Sequence, residues 1–365
     1  MLNQKELDYL WLDSFMIPLK KKAKIIEACG GISFVKEKFK KNSDLFSKFL
    51  DKETISKMEA CLDESYIEKL VDSLNKYYIS VVTIESESYP KLLKEIADPP
   101  LVLYARGDVS LMNEKCLAMV GTRRATSYGR EVTNAFAKKL SKAGLIMVSG
   151  LAFGIDTCVA ESVVNIHGKT IAVLGGGLDS IYPSQNDELS RRIVRDGGLL
   201  LSEYPVGVRP TQYSFLERNR IISGLSLGTI VVEAGERSGA ISTANDAIDQ
   251  NRELFVIPGN ITSLESLGCN NLIYSYPEAF CSSVNQILER FGLSSQESIK
   301  KADIQFSIEA QKILDALNEE MDVDELAQLT NLAPKILMSE LSKLEIGGII
   351  KKTSGNYYAK ITLQN

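Results

Sequence analysis

The chain holds one histidine and one tryptophan in 365 residues, six cysteines without paired spacing, and no apolar run long enough to cross a bilayer. With His167 alone, a Ser-His-Asp triad or a multi-histidine metal site is excluded unless His167 itself takes part. It lies in Asn165-Ile166-His167-Gly168 ahead of a strand, the setting of a solvated loop histidine. The scattered Cys29, Cys61, Cys116, Cys158, Cys269 and Cys281 argue for reduced thiols, and against a disulfide framework or a zinc site. The stretch Met1 to Leu10 is polar, so neither a signal peptide nor a membrane anchor is expected, and the reading is cytoplasmic. Excess positive charge is missing too. The net charge is −5, which does not advertise a nucleic-acid partner but leaves room for a local basic groove.

What is present suffices for two or three domains. Residues 1–78 read as all-helical, with apolar spacing in Leu7–Phe15, Lys22–Cys29, Ile32–Lys40 and Ile67–Leu74, and with Trp11 as core. Residues 79–291 read as α/β. Strands are expected at Tyr78–Ile84, Leu101–Tyr104, Leu117–Val120, Ile146–Val148, Ile171–Leu174, Leu199–Leu201, Thr229–Val232 and Leu254–Ile257. Helices are expected at Gly129–Ala143, Leu189–Val194 and Ala240–Gln250. Continuous apolar strands alternating with helices indicate a mainly parallel sheet covered on both faces. A polar stretch at 292–304 reads as a linker. In 305–365, three helices (Ile308–Leu317, Val323–Leu329, Ala333–Ile346) precede a hairpin of Ile349–Lys352 and Tyr357–Ile361, a winged-helix pattern.

The turns of the middle third read as phosphate cradles. They are Gly121-Thr122-Arg123-Arg124, Ser149-Gly150 with Phe153-Gly154, Gly175-Gly176-Gly177, Arg218-Asn219-Arg220 and Ser238-Gly239. Most stand where an apolar run gives way to a helical pattern. Helix N-termini attract phosphate, glycine permits close approach of the ligand, and arginine forks onto phosphate oxygens. A dinucleotide needs one such turn; a row along one sheet edge suits a longer anionic strand. Arg123, at the end of the first parallel strand, is the leading phosphate contact, with Arg124 beside it. Gly150, Gly154, Gly175, Gly176 and Gly177 are expected to offer backbone N–H groups. Of Arg218 and Arg220, one is expected to bind the ligand and the other to serve the structure. Ser238, Gly239 and Thr243 stand at a further helix start. Tyr182, Phe215 and Phe153 are candidate stacking platforms, weighed against core roles. Asp156 and Asp179 read as turn-fixing caps or base-edge acceptors, and Glu233 as a holder of a backbone or arginine partner.

In order along the chain run Ala118-Met119-Val120-Gly121-Thr122-Arg123-Arg124, Ser149-Gly150-Leu151-Ala152-Phe153-Gly154-Ile155-Asp156 and Ala172-Val173-Leu174-Gly175-Gly176-Gly177-Leu178-Asp179. Tyr182-Pro183 with Asn186, Ser202-Glu203-Tyr204-Pro205, Phe215, Arg218 to Ser226, Val231-Val232-Glu233-Ala234, Ser238-Gly239-Ala240 and Pro258-Gly259-Asn260 follow. Over roughly 88 to 273 this series resembles the DNA-processing protein A family (DprA, also called Smf). The resemblance implies an extended Rossmann-like domain that binds single-stranded DNA and dimerises, with a helical SAM-like domain before it and a winged helix after it. It implies a recombination mediator that protects incoming single strands in natural transformation and helps load RecA recombinase. No catalytic residue, metal, cofactor or membrane is implied. The implied DNA contacts fall on the turn residues named above, with Asn186 added. Three departures stand out: Phe153 where the family often has arginine, Ser184 where a lysine often follows Tyr-Pro, and no Gly-x-Gly hairpin at Phe15–Leu19.

Two other functions compete. A nucleotide enzyme of the phosphoribohydrolase type shares this kind of sheet but carries Pro-Gly-Gly-x-Gly-Thr, where this chain has Ala234-Gly235-Glu236-Arg237-Ser238-Gly239. A duplex-reading transcription factor would use the third helix of the winged-helix segment, whose outward Lys335, Ser339, Ser342 and Lys343 are thin for that task.

Overall fold

The computed structural model describes residues 2–293, 307–346, 349–353 and 355–360. The chain divides into two compact units, Met1–Leu293 and Ser294–Asn365. The expected linker falls largely outside the described residues, as does Ile361.

The first unit opens with helices α1 (Gln4–Asp13), α2 (Leu19–Cys29), α3 (Ile32–Lys41), α4 (Lys52–Ala60) and α5 (Glu64–Lys76), with a 3-10 turn at Ser43–Lys48. Asn3 and Glu6 form a capping box that starts α1, satisfying orphan N–H groups of its first turn. Gly30, at φ 79°, ends α2 in the left-handed conformation that glycine adopts without strain. Trp11 is fully buried, and its indole N–H donates to the Cys61 carbonyl at 2.8 Å. These helices share one core with the sheet that follows. Asp13 binds them to it, accepting from Lys22 Nζ at 2.5 Å and from the Tyr104 hydroxyl at 2.8 Å.

The sheet consists of β1 (Ser80–Thr83), β2 (Val102–Gly107), β3 (Cys116–Val120), β4 (Ile146–Ser149), β5 (Thr170–Leu174), β6 (Leu199–Ser202), β7 (Gly228–Val231) and β8 (Glu253–Val256). Their spatial order is β1-β2-β6-β5-β4-β3-β7-β8. Strands β3 to β8 are parallel; β2 runs antiparallel to β6, and β1 to β2. Helices α6 (Lys91–Lys94), α7 (Ser127–Lys142), α8 (Ile155–Val164), α9 (Asp187–Arg195), α10 (Gln212–Gly224), α11 (Gly239–Asp249), α12 (Leu267–Ser275) and α13 (Val284–Arg290) complete the unit. Along β3, Leu117 and Met119 face a core shared with α7, α8 and α13, whereas Ala118 and Val120 face one shared with α10 and α11. Burial on both faces explains the unbroken apolar strands. Among the described residues, no helix is long and apolar enough to cross a membrane.

The strand order sets the place for a ligand. From β3 the chain steps outward through β4, β5 and β6, then returns to add β7 and β8 on the other side of β3. The crevice at the carboxyl ends of β3 and β7 is therefore a topological switch point, where open α/β sheets bind ligands.

The second unit holds α14 (Ile308–Ala316), β9 (Met321–Asp322), α15 (Val323–Thr330), α16 (Pro334–Ile346), β10 (Ile350–Lys352) and β11 (Tyr357–Lys360). Its antiparallel strands are ordered β10-β11-β9. Leu314, Leu326, Leu337, Leu341 and Tyr358 form its core. This is a winged helix with a short first strand that the sequence pattern did not reveal.

Candidate nucleic-acid interface

A cleft of about 890 Å³ lies at the switch point. Gly121, Thr122, Arg123 and Arg124 enter it from the loop after β3, and Arg237, Ser238 and Gly239 from the start of α11. Phe215, Leu216, Arg218 and Asn219 of α10 line it, with Tyr182 and the buried Thr243. Arg123 is exposed, and its guanidinium stands 5.2 Å from the Phe215 ring centroid. Phe215 in turn packs on Tyr182, centroids 5.6 Å apart at 37°. Tyr182 keeps 52% of its surface exposed, and Phe153 keeps 42% on the loop after β4, so neither is a core aromatic. Five arginines of this unit are ion-paired: Arg191, Arg195, Arg220, Arg252 and Arg290. Among the described residues, Arg123, Arg124 and Arg237 enter no such pair, which leaves three cations facing the cleft.

The loop bearing Arg123 is braced from below. Thr122 is buried; its N–H donates to the Glu233 carbonyl at 2.6 Å and its hydroxyl to Glu265 Oε2 at 2.6 Å. Its own hydroxyl oxygen takes the Arg124 N–H at 3.1 Å. The Glu233 carboxylate accepts the N–H and hydroxyl of Thr126, at 2.9 and 2.7 Å, and Thr126 caps α7. Gly154 sits at φ 78°, and a Cβ there would stand 2.2 Å from the Thr122 carbonyl oxygen. Glycine is thus required for the β4–α8 loop to close on the β3 loop.

Other candidates have structural partners. The segment Arg218-Asn219-Arg220 is no turn but the middle of α10. Arg218 is buried; it donates to the carbonyls of Gly150, at 2.7 Å, and Val173, and to Asn219 Oδ1 at 3.3 Å. Burial lowers its pKa to about 10. Asp156 beside it accepts the N–H groups of Gly150 and Ala152, at 3.1 and 3.4 Å. Burial pushes the Asp156 carboxyl above the usual carboxylate range, against the pull of the Arg218 guanidinium. Arg220 points elsewhere and forks onto Glu203, its closest contact 2.6 Å. So the expectation that one of the two arginines would be left free for a ligand is not met: both are held within the fold. Asn219 ties α10 to α11 through the Gly239 carbonyl at 3.2 Å. Thr243 donates to that same carbonyl at 3.3 Å. Asn186 is buried and donates to Leu151 O at 2.9 Å and Thr157 Oγ1 at 2.8 Å.

The glycine run also departs from expectation. Gly175, Gly176 and Gly177 are buried beneath the strap 205–211 and the start of α10. A Cβ on Gly175 would meet Phe215 at 3.0 Å, on Gly176 the Pro210 ring at 2.9 Å, and on Gly177 the Pro205 carbonyl at 2.5 Å. The Gly177 N–H is spent on Val208 O at 2.9 Å, and that of Gly150 on Asp156. These glycines admit another stretch of chain rather than a phosphate. Asp179 does fix a turn, accepting the Gly207 N–H at 2.8 Å. Arg237, Leu216 and Glu265 were missed. The signal for Arg237 was at hand: it precedes the Ser238 cap of α11 much as Arg123 follows Gly121.

The architecture so far is that of a Rossmann-like α/β protein with a basic and aromatic cleft at its switch point. A family model for DNA recombination-mediator protein A matches residues 80–292, and one for the DprA winged helix domain matches residues 302–356; the chain belongs to the DprA/Smf family. The DNA processing protein DprA of Bacillus subtilis (strain 168) is 43% identical over 184 residues, 50% of this chain and 62% of that protein. The X-ray structure of DNA processing protein A from Streptococcus pneumoniae superposes with a TM-score of 0.67 at 30% identity, covering 79% of this chain and 98% of that one. DNA processing protein A from Helicobacter pylori, whose structure addresses its single-stranded DNA binding mode, gives 0.53 at 33% identity, covering 58% and 95%.

Proposed function

We propose that this protein is a recombination mediator that holds single-stranded DNA in the switch-point cleft, protects incoming strands in natural transformation, and helps load RecA onto them as a homodimer. One observation carries the DNA reading: the unpaired Arg123 guanidinium lies against the Phe215–Tyr182 aromatic pair. A cation beside a pair of rings, of which Tyr182 is exposed, provides both halves of single-strand recognition, a fork for phosphate and a platform for a base. Arg124 and Arg237 extend the positive rim, and the start of α11 offers the Gly239 N–H and the helix dipole. Phe153 adds a ring where the family often has a charge, which shifts binding from counterion release toward stacking. Membership of the DprA/Smf family and the single-strand binding of the Helicobacter pylori relative support the reading.

The test is fluorescence anisotropy of labelled oligothymidine, single-stranded and duplex, across salt concentrations. Single strands are expected to bind more tightly than duplex. Arg123→Ala should weaken binding and flatten the salt slope by about 0.7 for the lost phosphate. Binding that is indifferent to Arg123→Ala removes the cleft from the account.

A further inference from the structure

Helix α10 has a second cavity on its far side. It measures about 350 Å³ and lies between the N-terminal helices and the carboxyl end of β6. Asp13 is paired with Lys22 at 2.5 Å and Glu203 with Arg220 at 2.6 Å, while Glu217 accepts from the Tyr204 hydroxyl at 2.8 Å. Both cations of that floor, Lys22 and Arg220, are thus paired, and neither is left to grip a small anion. What stands free is at the mouth. Arg209 is exposed and, among the described residues, enters no ion pair; Tyr213 is 69% exposed.

These two residues continue the chemistry of the cleft. Leu216 lines the cleft and Tyr213 the second cavity, three residues apart on α10. That spacing makes them surface neighbours, and Leu216 is 51% exposed. The exposed Leu216 and Tyr213 thus continue the surface beyond the half-buried Phe215. Arg209 sits on the strap that the glycine run admits. The strap is pinned on both sides of it, by Gly207 N–H to Asp179 at 2.8 Å, by Gly177 N–H to Val208 at 2.9 Å, and by the Thr211 cap of α10. The arginine is therefore presented from fixed backbone.

We propose that the nucleic-acid track does not end in the cleft but crosses the N-terminal end of α10, where Arg209 takes a further phosphate and Tyr213 stacks a further base at the mouth of the second cavity. This rests on the cleft reading above. It sets a cation and a ring at one cavity mouth, on the flank of α10 opposite Arg123 and Phe215. It also gives the N-terminal region a part in site size, since the exposed Met16 lines the same cavity.

The experiment is an oligothymidine length series bound to the full chain, comparing the unaltered protein, Arg123→Ala, and Arg209→Ala with Tyr213→Ala. The shortest strands that bind should not distinguish the double variant from the unaltered protein. Longer strands should gain affinity in the unaltered protein and in Arg123→Ala, but not in the double variant. The double variant should lose at least about five-fold on long strands, the low end of one stacked base, with a salt slope shallower by about 0.7. Tyr213→Phe should restore the stacking share. Equal affinities for the double variant and the unaltered protein at every length, with Arg123→Ala still weakened, would overturn the extended track and leave the cleft standing. Loss on Arg209→Ala with Tyr213→Ala but none on Arg123→Ala breaks the continuity and overturns both, as does absence of binding at any length.

Discussion

Replacing Arg218 tests whether the cleft is held open by a buried cation. Arg218→Met keeps the length of the side chain but removes its donors. It leaves the Gly150 and Val173 carbonyls without the guanidinium and the Asp156 carboxylate buried without its counter-charge. Breaking a buried pair from one side costs about 3–5 kcal/mol. With an unfolding entropy of about 2.1 cal/mol/K per residue over the unit Met1–Leu293, that becomes a fall in Tm of about 5–8 °C. The loss should depend on pH. Folded Asp156 already titrates above its ordinary 3.8, so the folded state binds this proton more tightly than the unfolded chain. Between the unfolded and folded values stability falls as pH rises. Arg218 restrains that rise, so its removal lifts the folded value further and extends the window upward. Thermal unfolding should therefore show a larger deficit at pH 8 than at pH 5. Adding Asp156→Asn to Arg218→Met should flatten the pH dependence and recover part of the stability. A deficit below about 1 kcal/mol, or one of equal size at both pH values, would refute the assignment of Arg218 as the counter-charge.

Gly154→Ala should lower stability by about 1–3 kcal/mol, because the new Cβ meets the Thr122 carbonyl in a backbone conformation that only glycine adopts freely; calorimetry against Gly144→Ala, whose Cβ would meet nothing within 4 Å at φ 91°, separates the clash from the dihedral. Asp246 has an unpartnered oxygen, and burial first, then Asp249, raises its pKa to about 6. Its charged form therefore weakens the fold fully above about pH 6, and not at all below 3.8. Asp246→Asn should stabilise on the order of 1 kcal/mol at pH 8, a figure reduced for its half-exposed position, and should gain nothing near pH 4, by denaturant unfolding.

Strands were the legible part of the fold, since short apolar runs between turns have few alternatives in a sheet buried on both faces. Ile171–Leu174 was read where Thr170–Leu174 forms, and Leu199–Leu201 where Leu199–Ser202 forms. Direction was not legible: nothing local in Val102–Gly107 tells that it lies antiparallel beside β6. Helices α8 and α10 went unread for opposite reasons. Nearly every residue of α8 from Val159 to Val164 is buried, so no polar face marks its period. In α10 the buried side carries Ser214, Arg218, Asn219 and Ser223, which erases the apolar stripe. A helix that buries polar groups to hold neighbouring loops looks, in sequence, like a loop.

The same ambiguity governs the site. A glycine reports only that a side chain is missing, not what comes close instead. At Gly154 it is the loop of a neighbouring strand, and at Gly175 to Gly177 a whole strap of the same chain. Arginine is equally mute. Arg123, Arg218 and Arg220 stand respectively against a ring, beneath two strand ends and on a glutamate. The deciding partners are Val173 of β5 and Glu203 just past the end of β6, neither adjacent in sequence to the arginine it holds. One local distinction did exist. Arg123 follows a strand by three residues in a loop whose nearby sequence has no carboxylate, whereas Arg218 and Arg220 run straight into Ile221-Ile222, the buried side of a helix. An arginine just past a strand end has the solvent side of the sheet edge open to it. One within a turn of two buried isoleucines must find its acceptors inside the protein or raise the cost of folding.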